Sequence, residues 1–139
     1  MRVEIRDYSA YRAEEILPLY EAVGWIAYTR RPEMLEAAFR GSLCVLGAWE
    51  GERLAGILRA VGDGASVILV QDLLVLPEYQ RRGLGSALLR ELLRRYPRVY
   101  QTQLMTDDRP QTMAFYASLG FEAAEELGCR AWMRIHRES

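Results

Sequence analysis

The spacing of apolar and polar positions changes several times along this chain, and each change predicts an element. Residues 3–6 (VEIR) alternate apolar and charged, as a half-buried strand does. From Ile16 the spacing becomes helical through Leu17, Leu19, Tyr20 and Val23. Ser9 upstream is the candidate cap, and Pro18 predicts a kink or a break. A second short helix is predicted over residues 32–40. Pro32 opens it, Leu35, Ala38 and Phe39 share a face, and Gly41 stops it. Two apolar runs, 43–49 and 54–61, flank Glu50-Gly51-Glu52-Arg53 and predict a β-hairpin. After Gly62-Asp63-Gly64, residues 66–76 are rich in Val, Ile and Leu around one polar pair, Gln71-Asp72, which predicts a long central strand ended by Pro77.

Over residues 83–96 the helical spacing returns. Leu84, Ala87, Leu88 and Leu92 share a face that Leu89 and Leu93 widen, and arginines fill the other side. A strand over 99–105, a helix over 111–119 stopped by Gly120, and closing strands over 121–126 and 131–136 complete the pattern. The chain has no internal repeat, linker or low-complexity segment, so the order predicts one α/β domain over residues 1–139 with a mixed sheet.

Composition narrows the function. A chain of 139 residues, 50% of them apolar, can bury one core. Its 18 basic and 19 acidic side chains leave a net charge of −1, which argues against nucleic acid or an anionic membrane as partner. The N-terminal stretch carries charges every few residues and no long apolar run, so a soluble cytoplasmic protein is expected. Cys44 and Cys129 lack metal-ligand spacing and read as small buried hydrophobes, while the single His136 lies near the end. No metal site is expected.

The segment with chemical content is LLVLPEYQRRGLGSA, residues 73–87. A strand enters a loop, and a helix follows whose first turn contains Gly83 and Gly85. Free amides at a helix N-terminus bind phosphate, and residues without a Cβ let the anion reach the backbone. Arg81 and Arg82 add positive charge there. A Walker-type loop would need Gly-Lys-Ser/Thr, but Gly85 is followed by Ser86-Ala87. A dinucleotide fingerprint would need Gly or Ala at Leu88 and an acid closing the next strand, and both are missing. A pantetheine pyrophosphate is the third option.

Val75-x-Pro77 followed by Gln80-Arg81-Arg82-Gly83-Leu84-Gly85-Ser86 resembles the acyl-CoA motif Q/R-x-x-G-x-G/A of the GNAT superfamily of N-acetyltransferases. Downstream, Phe115-Tyr116-Ala117-Ser118-Leu119-Gly120-Phe121 resembles that superfamily's F-Y-x-x-L-G-F segment. The segments 20–25 (YEAVGW) and 72–75 (DLLV) are similar, more weakly, to chloroplast-type members related to serotonin N-acetyltransferase, which points toward an aromatic or other small amine.

The resemblance implies an α+β fold with a mixed, mostly antiparallel central sheet flanked by helices, and acetyl-CoA as cosubstrate. It implies that the backbone of Leu73, Leu74 and Val75 bonds the acetyl and pantetheine groups. Gln80, Arg81, Arg82, Gly83, Leu84, Gly85 and Ser86 would hold the pyrophosphate. Acyl transfer to an amine needs an uncharged amine, a stabilised oxyanion and a protonated leaving thiolate. Tyr116 matches the superfamily's acid for the thiolate, a role suited to a phenol with a pKa of about 10. For the base the strand offers Asp72; if Asp72 faces the core instead it is structural, and a water relay takes the proton. Arg109 stands where many relatives carry an asparagine that touches the pantetheine, which puts that contact in doubt. Trp25, Tyr28 and the region of Tyr11 read either as an aromatic wall of the acceptor pocket or as core. The acceptor is then an amine of a small molecule or peptide, and small members of the superfamily often form homodimers. A chain that binds acyl-CoA without turnover, as a sensor, is the alternative.

Overall fold

A computed structural model describes residues 2–136. They form two compact units, one ending at Met105 and the other beginning at Thr106. The first unit runs β1 (Glu4–Asp7), α1 (Ala13–Ala22), α2 (Ile26–Thr29), α3 (Pro32–Arg40), β2 (Cys44–Glu50), β3 (Arg53–Gly62), β4 (Val67–Val75), a 3-10 turn (Pro77–Tyr79), α4 (Leu84–Arg95) and β5 (Gln101–Leu104). The five strands lie in sequence order, antiparallel from β1 to β4, and β5 joins β4 in parallel. This is the expected mixed, mostly antiparallel sheet flanked by helices.

The sheet is packed on both faces. Leu54, Ile57 and Leu74 pack with Ile16, Leu19 and Tyr20 of α1 and Leu35 and Phe39 of α3. On the other face α4 covers β2, β3 and β4. At Gly56 an added Cβ would crowd the Leu74 carbonyl of the neighbouring strand at 3.0 Å, while Leu88 Cδ1 of α4 would sit at an ordinary contact distance of 3.5 Å. The turn before β4 is held by Asp63, whose carboxylate accepts from the amides of Ala65, Ser66 and Val67 and from the Ser66 hydroxyl. Those bonds, the Ser66 hydroxyl first, hold its carboxyl well below the usual range.

Some local expectations differ from the structure. The N-cap of α1 is Arg12, not Ser9, and no side chain of its own caps the helix. The Tyr8 hydroxyl substitutes: it accepts from the Arg12 amide at 3.1 Å and donates to Glu15 Oε1 at 3.2 Å. Pro18 lies inside α1 without ending it. The four-residue α2 follows Gly24 and is too short to show a period in sequence. Cys44 is buried, as expected of a small hydrophobe, but Cys129 is exposed.

The second unit contains α5 (Pro110–Ser118) and a 3-10 turn at Ala124–Leu127. Gly120, at φ +89°, ends α5 in a double-bonded cap. The Phe121 amide donates to the Tyr116 carbonyl and the Gly120 amide to that of Ala117, each at 3.1 Å. The Phe121 ring then meets the Tyr116 ring edge-on, with centroids 6.0 Å apart. The cap thus accounts for three positions of the F-Y-x-x-L-G-F spacing: Gly120 takes the left-handed conformation, and Tyr116 and Phe121 meet across it.

The closing strands expected over 121–126 and 131–136 are not formed. Residues 124–129 wind into the 3-10 turn instead, with the Cys129 amide on the Ala124 carbonyl at 2.9 Å. Residues 128–136 adopt no regular element. Alternation supplies a pattern of side chains, but a strand exists only where another strand takes its amides, and none does so among the described residues.

Candidate active site

Three features of the first unit meet at the end of β4. The first is the phosphate-loop candidate. The sign of φ alternates through it: Gln80 lies at −67°, Arg81 at +65° and Gly83 at +82°. Gln80 is extended, and the left-handed turn that follows it leads into the helix start, the kind of backbone in which amides can gather around an anion. Gly83 is the N-cap of α4 and provides no side-chain bond, so the first amides of a twelve-residue helix are left for another acceptor. A Cβ added at Gly83 would meet nothing within 4 Å. Arg81 is the one non-glycine among the described residues with positive φ, a conformation costing about 1–3 kcal/mol that recurs at ligand clamps. These residues fit a pyrophosphate.

The loop is anchored behind. Tyr79 is buried, donates to Glu50 Oε1 at 2.6 Å, and has the Arg53 and Arg82 guanidinium carbons 5.3 and 5.7 Å from its ring centroid. Gln80 Nε2 reaches back to the Val75 carbonyl at 3.1 Å. Leu84 points into the core and serves packing, while Arg81, Arg82 and Gly83 are exposed.

The second feature is an open edge. β5 pairs with β4 from Val67 to Val70 only, whereas β3 pairs with β4 as far as Val75. The β5-facing peptide groups of the second half of β4, which includes Leu73, Leu74 and Val75, thus have no strand partner within this unit. An extended, amide-bearing chain can take that edge.

The third is a bulge at the same place. Arg59 pairs with Asp72 and Ala60 with Val70, so Gln71 is an extra residue. The register consequently puts Gln71 and Asp72 on the same face of the sheet, toward α1 and α2. Gln71 is exposed there, and its Nε2 donates to the Tyr28 hydroxyl at 3.4 Å. Asp72 is buried: its Oδ2 accepts from Arg59 Nε and from the Tyr20 hydroxyl, each at 2.7 Å. Arg59 continues to the Ser42 hydroxyl at 3.3 Å and the Ala38 carbonyl at 3.5 Å. Burial opposes the Arg59 charge, but the Asp72 carboxylate outweighs it and raises the guanidinium pKa. Burial, then the Asp72 charge, pushes the Tyr20 phenol far above its ordinary value. Of the two roles open to Asp72, this geometry favours the structural one.

Beside the bulge opens a cleft of about 430 Å³, lined by residues 24–28 (GWIAY) and by Gln71 and Asp72. Trp25 and Tyr28 thus line a cleft. Tyr11 is not part of it; that ring packs 5.1 Å from Phe39 and its buried hydroxyl finds no partner among the described residues. Tyr20 meets the rings of both Trp25 and Tyr28 edge-on, at 5.9 and 5.4 Å.

In the second unit, Tyr116 is half-buried between Phe115 and Phe121, with centroids at 4.9 and 6.0 Å. Burial, then the Asp107 charge, raises its pKa. Arg109 bonds Asp107 Oδ2 at 3.0 Å and holds that carboxyl down at about 2.

The family model of the acetyltransferase (GNAT) domain matches residues 8–137. The chain belongs to the GNAT acetyltransferase family. A GNAT family acetyltransferase from Streptococcus pneumoniae TIGR4 is 41% identical, with 99% of this chain and 100% of that one covered and a TM-score of 0.88. A Glycine max protein named histone acetyltransferase TAP1 is 35% identical over 81% of this chain and 52% of its own length. An Arabidopsis thaliana protein named GCN5-related N-acetyltransferase 2, chloroplastic, is 40% identical over 54% of this chain and 29% of its own length. The chain thus spans about half, or less, of those plant relatives.

Sequence reasoning missed Arg59 and Tyr20. A signal was present: Arg59 is the one charge in the apolar run 54–61, Asp72 the one charge in 66–76, and their signs are opposite. Two opposite charges, each alone in an apolar strand, have to meet or stay out of the core.

Proposed function

We propose that this GNAT chain transfers an acetyl group from acetyl-CoA to a primary amine held in the cleft beside Gln71. The observation that carries the reading is the loop from Gln80 to Gly83, whose alternating φ ends at the uncapped N-terminus of α4. Acetyl-CoA supplies the thioester.

Arg81 and the amides from Gly83 to Ser86 hold the pyrophosphate. The amides of Leu73 and Val75, which face the open edge of β4, align the pantetheine arm next to Leu74 and donate to the carbonyl oxygen as negative charge builds on it. The amine nitrogen bonds to the carbonyl carbon, and the carbon–sulfur bond breaks. Tyr116 Oη gives its proton to the leaving sulfur and regains one from solvent. The amine loses its proton to water in the open cleft. Asp72 takes no proton in this scheme, because its Oδ2 already serves Arg59 and Tyr20; it fixes the strand next to the bulge.

The test is thermal stabilisation. Acetyl-CoA at 100 times its dissociation constant is expected to add about 2.7 kcal/mol to stability, and an unchanged melting temperature at saturating acetyl-CoA refutes the proposal.

A further inference from the structure

We infer that Tyr79 is a positioning residue for acetyl-CoA: pinned to Glu50 at the end of β2, it holds the phosphate-loop backbone in its binding shape without touching the cosubstrate. The inference rests on the acetyl transfer proposed above and assigns that loop its support.

The loop is a short bridge between two buried posts. Residues 80–83 are all exposed, whereas Tyr79 before them and Leu84 after them are only 5% and 4% accessible. Leu84 is the first residue of α4, so that post is as firm as the helix. The other post stands on the three-residue turn Pro77–Tyr79, a 3-10 piece with little rigidity of its own. Between the posts Arg81 holds a φ of +65°, which a residue with a Cβ keeps only where its surroundings impose it.

The β2–β3 hairpin supplies that constraint. Glu50 and Arg53 are register partners across its turn, and both reach the Tyr79 post. The Tyr79 hydroxyl donates to Glu50 Oε1 at 2.6 Å, a short bond to a charged acceptor. The Arg53 guanidinium carbon lies 5.3 Å from the Tyr79 ring centroid, and its Nη2 lies 3.6 Å from Oε1 of the adjoining Glu78. Arg82 brings its own guanidinium carbon to 5.7 Å from the same ring, so the residues on either side of Arg81 are tied together.

Packing alone does not need the hydroxyl, because a phenylalanine would fill the same buried space. The bond to Glu50 instead fixes where the ring stands, and with it the start of the bridge. A loop held this way meets the pyrophosphate already shaped. Releasing the pin lowers the fraction of molecules with a competent loop, and the apparent affinity falls by that fraction. The chemical step proposed for the β4 edge and Tyr116 does not pass through Tyr79, so the loss belongs in KM for acetyl-CoA and not in kcat.

The experiment measures the acetyl-CoA dissociation constant by calorimetric titration, the ligand-free melting temperature, and kcat and KM for thiol release with 2-phenylethylamine as the amine. It compares wild type, Tyr79→Phe, Glu50→Ala, Glu50→Gln and the double variant Tyr79→Phe, Glu50→Ala. Tyr79→Phe and Glu50→Ala are each expected to weaken acetyl-CoA by at least about tenfold, the usual effect of losing a bond to a charged group. The double variant should be no weaker than either single one, since the two changes break the same bond. Glu50→Gln keeps an acceptor oxygen and should retain most of the affinity. A lower melting temperature with unchanged acetyl-CoA affinity overturns the inference and makes Tyr79 a packing residue only. Losses that add in the double variant, or a fall in kcat that matches the fall in affinity, overturn it as well. All three results leave acetyl transfer standing, whereas wild type that binds no acetyl-CoA overturns both readings.

Discussion

Arg59 Nε and Asp72 Oδ2 lie 2.7 Å apart across the β3–β4 register, with Asp72 immediately after the bulged Gln71. Both side chains are almost fully buried. Removing one partner leaves a charge in the core, so Arg59→Met is expected to cost about 3–5 kcal/mol in urea unfolding. The double change Arg59→Met, Asp72→Leu is expected to recover much of that loss. Equal losses in the single and double variants would show that the pair is not coupled.

Gly83 is the left-handed N-cap of α4, and its absent Cβ would project into open space. Gly83→Ala is therefore expected to cost only the backbone penalty, about 1–2 kcal/mol. Acetyl-CoA affinity should fall by more than stability does, because the shifted amides belong to the proposed pyrophosphate site. Calorimetric titration beside a melting curve separates the two.

Tyr116→Phe is expected to leave acetyl-CoA binding intact while lowering kcat by about a hundredfold or more, the usual contribution of a positioned acid. Burial, followed by the Asp107 charge, raises the Tyr116 pKa, and the acid acts in its protonated form. A raised pKa moves the alkaline limb of kcat upward, so that limb is expected above about pH 10. A limb near neutral pH that disappears in Tyr116→Phe would contradict the assignment.

Tyr8 gives a pH test of the fold. Burial first, offset in part by the Arg12 amide, pushes its phenol to about 12. The folded chain thus holds this proton more tightly than the unfolded chain, whose tyrosines titrate near 10. Its stabilisation is complete below about pH 10 and is lost as pH rises toward 12. Denaturant midpoints measured across that range should fall, and fall less steeply in Tyr8→Phe.

What the sequence disclosed was local. The strand, loop and helix over 73–87 follow from periodicity and two glycines, and the Gly120 cap follows from seven consecutive residues. The Arg59–Asp72 pair joins two strands, and no spacing rule links its members. The four-residue α2 holds the cleft wall but is shorter than a period-based reading resolves. Residues 131–136 alternate like a strand, yet pairing is a property of the partner. The loop proposed to hold the cosubstrate and the rings of Trp25 and Tyr28 were therefore readable from the chain, while the place of Gln71 and Asp72 beside the cleft emerged only from the bulge that turns them onto one face.

Acetyl transfer to an amine can be followed at both products at once. The protein is incubated with carbon-13-labelled acetyl-CoA and 2-phenylethylamine, and the mass of the amine and the free CoA thiol are followed together. Labelled N-acetyl amine should appear in step with thiol release in wild type and about a hundredfold more slowly in Tyr116→Phe. Saturable acetyl-CoA binding with no labelled amide from this or any other primary amine would contradict the account and make the chain an acyl-CoA sensor.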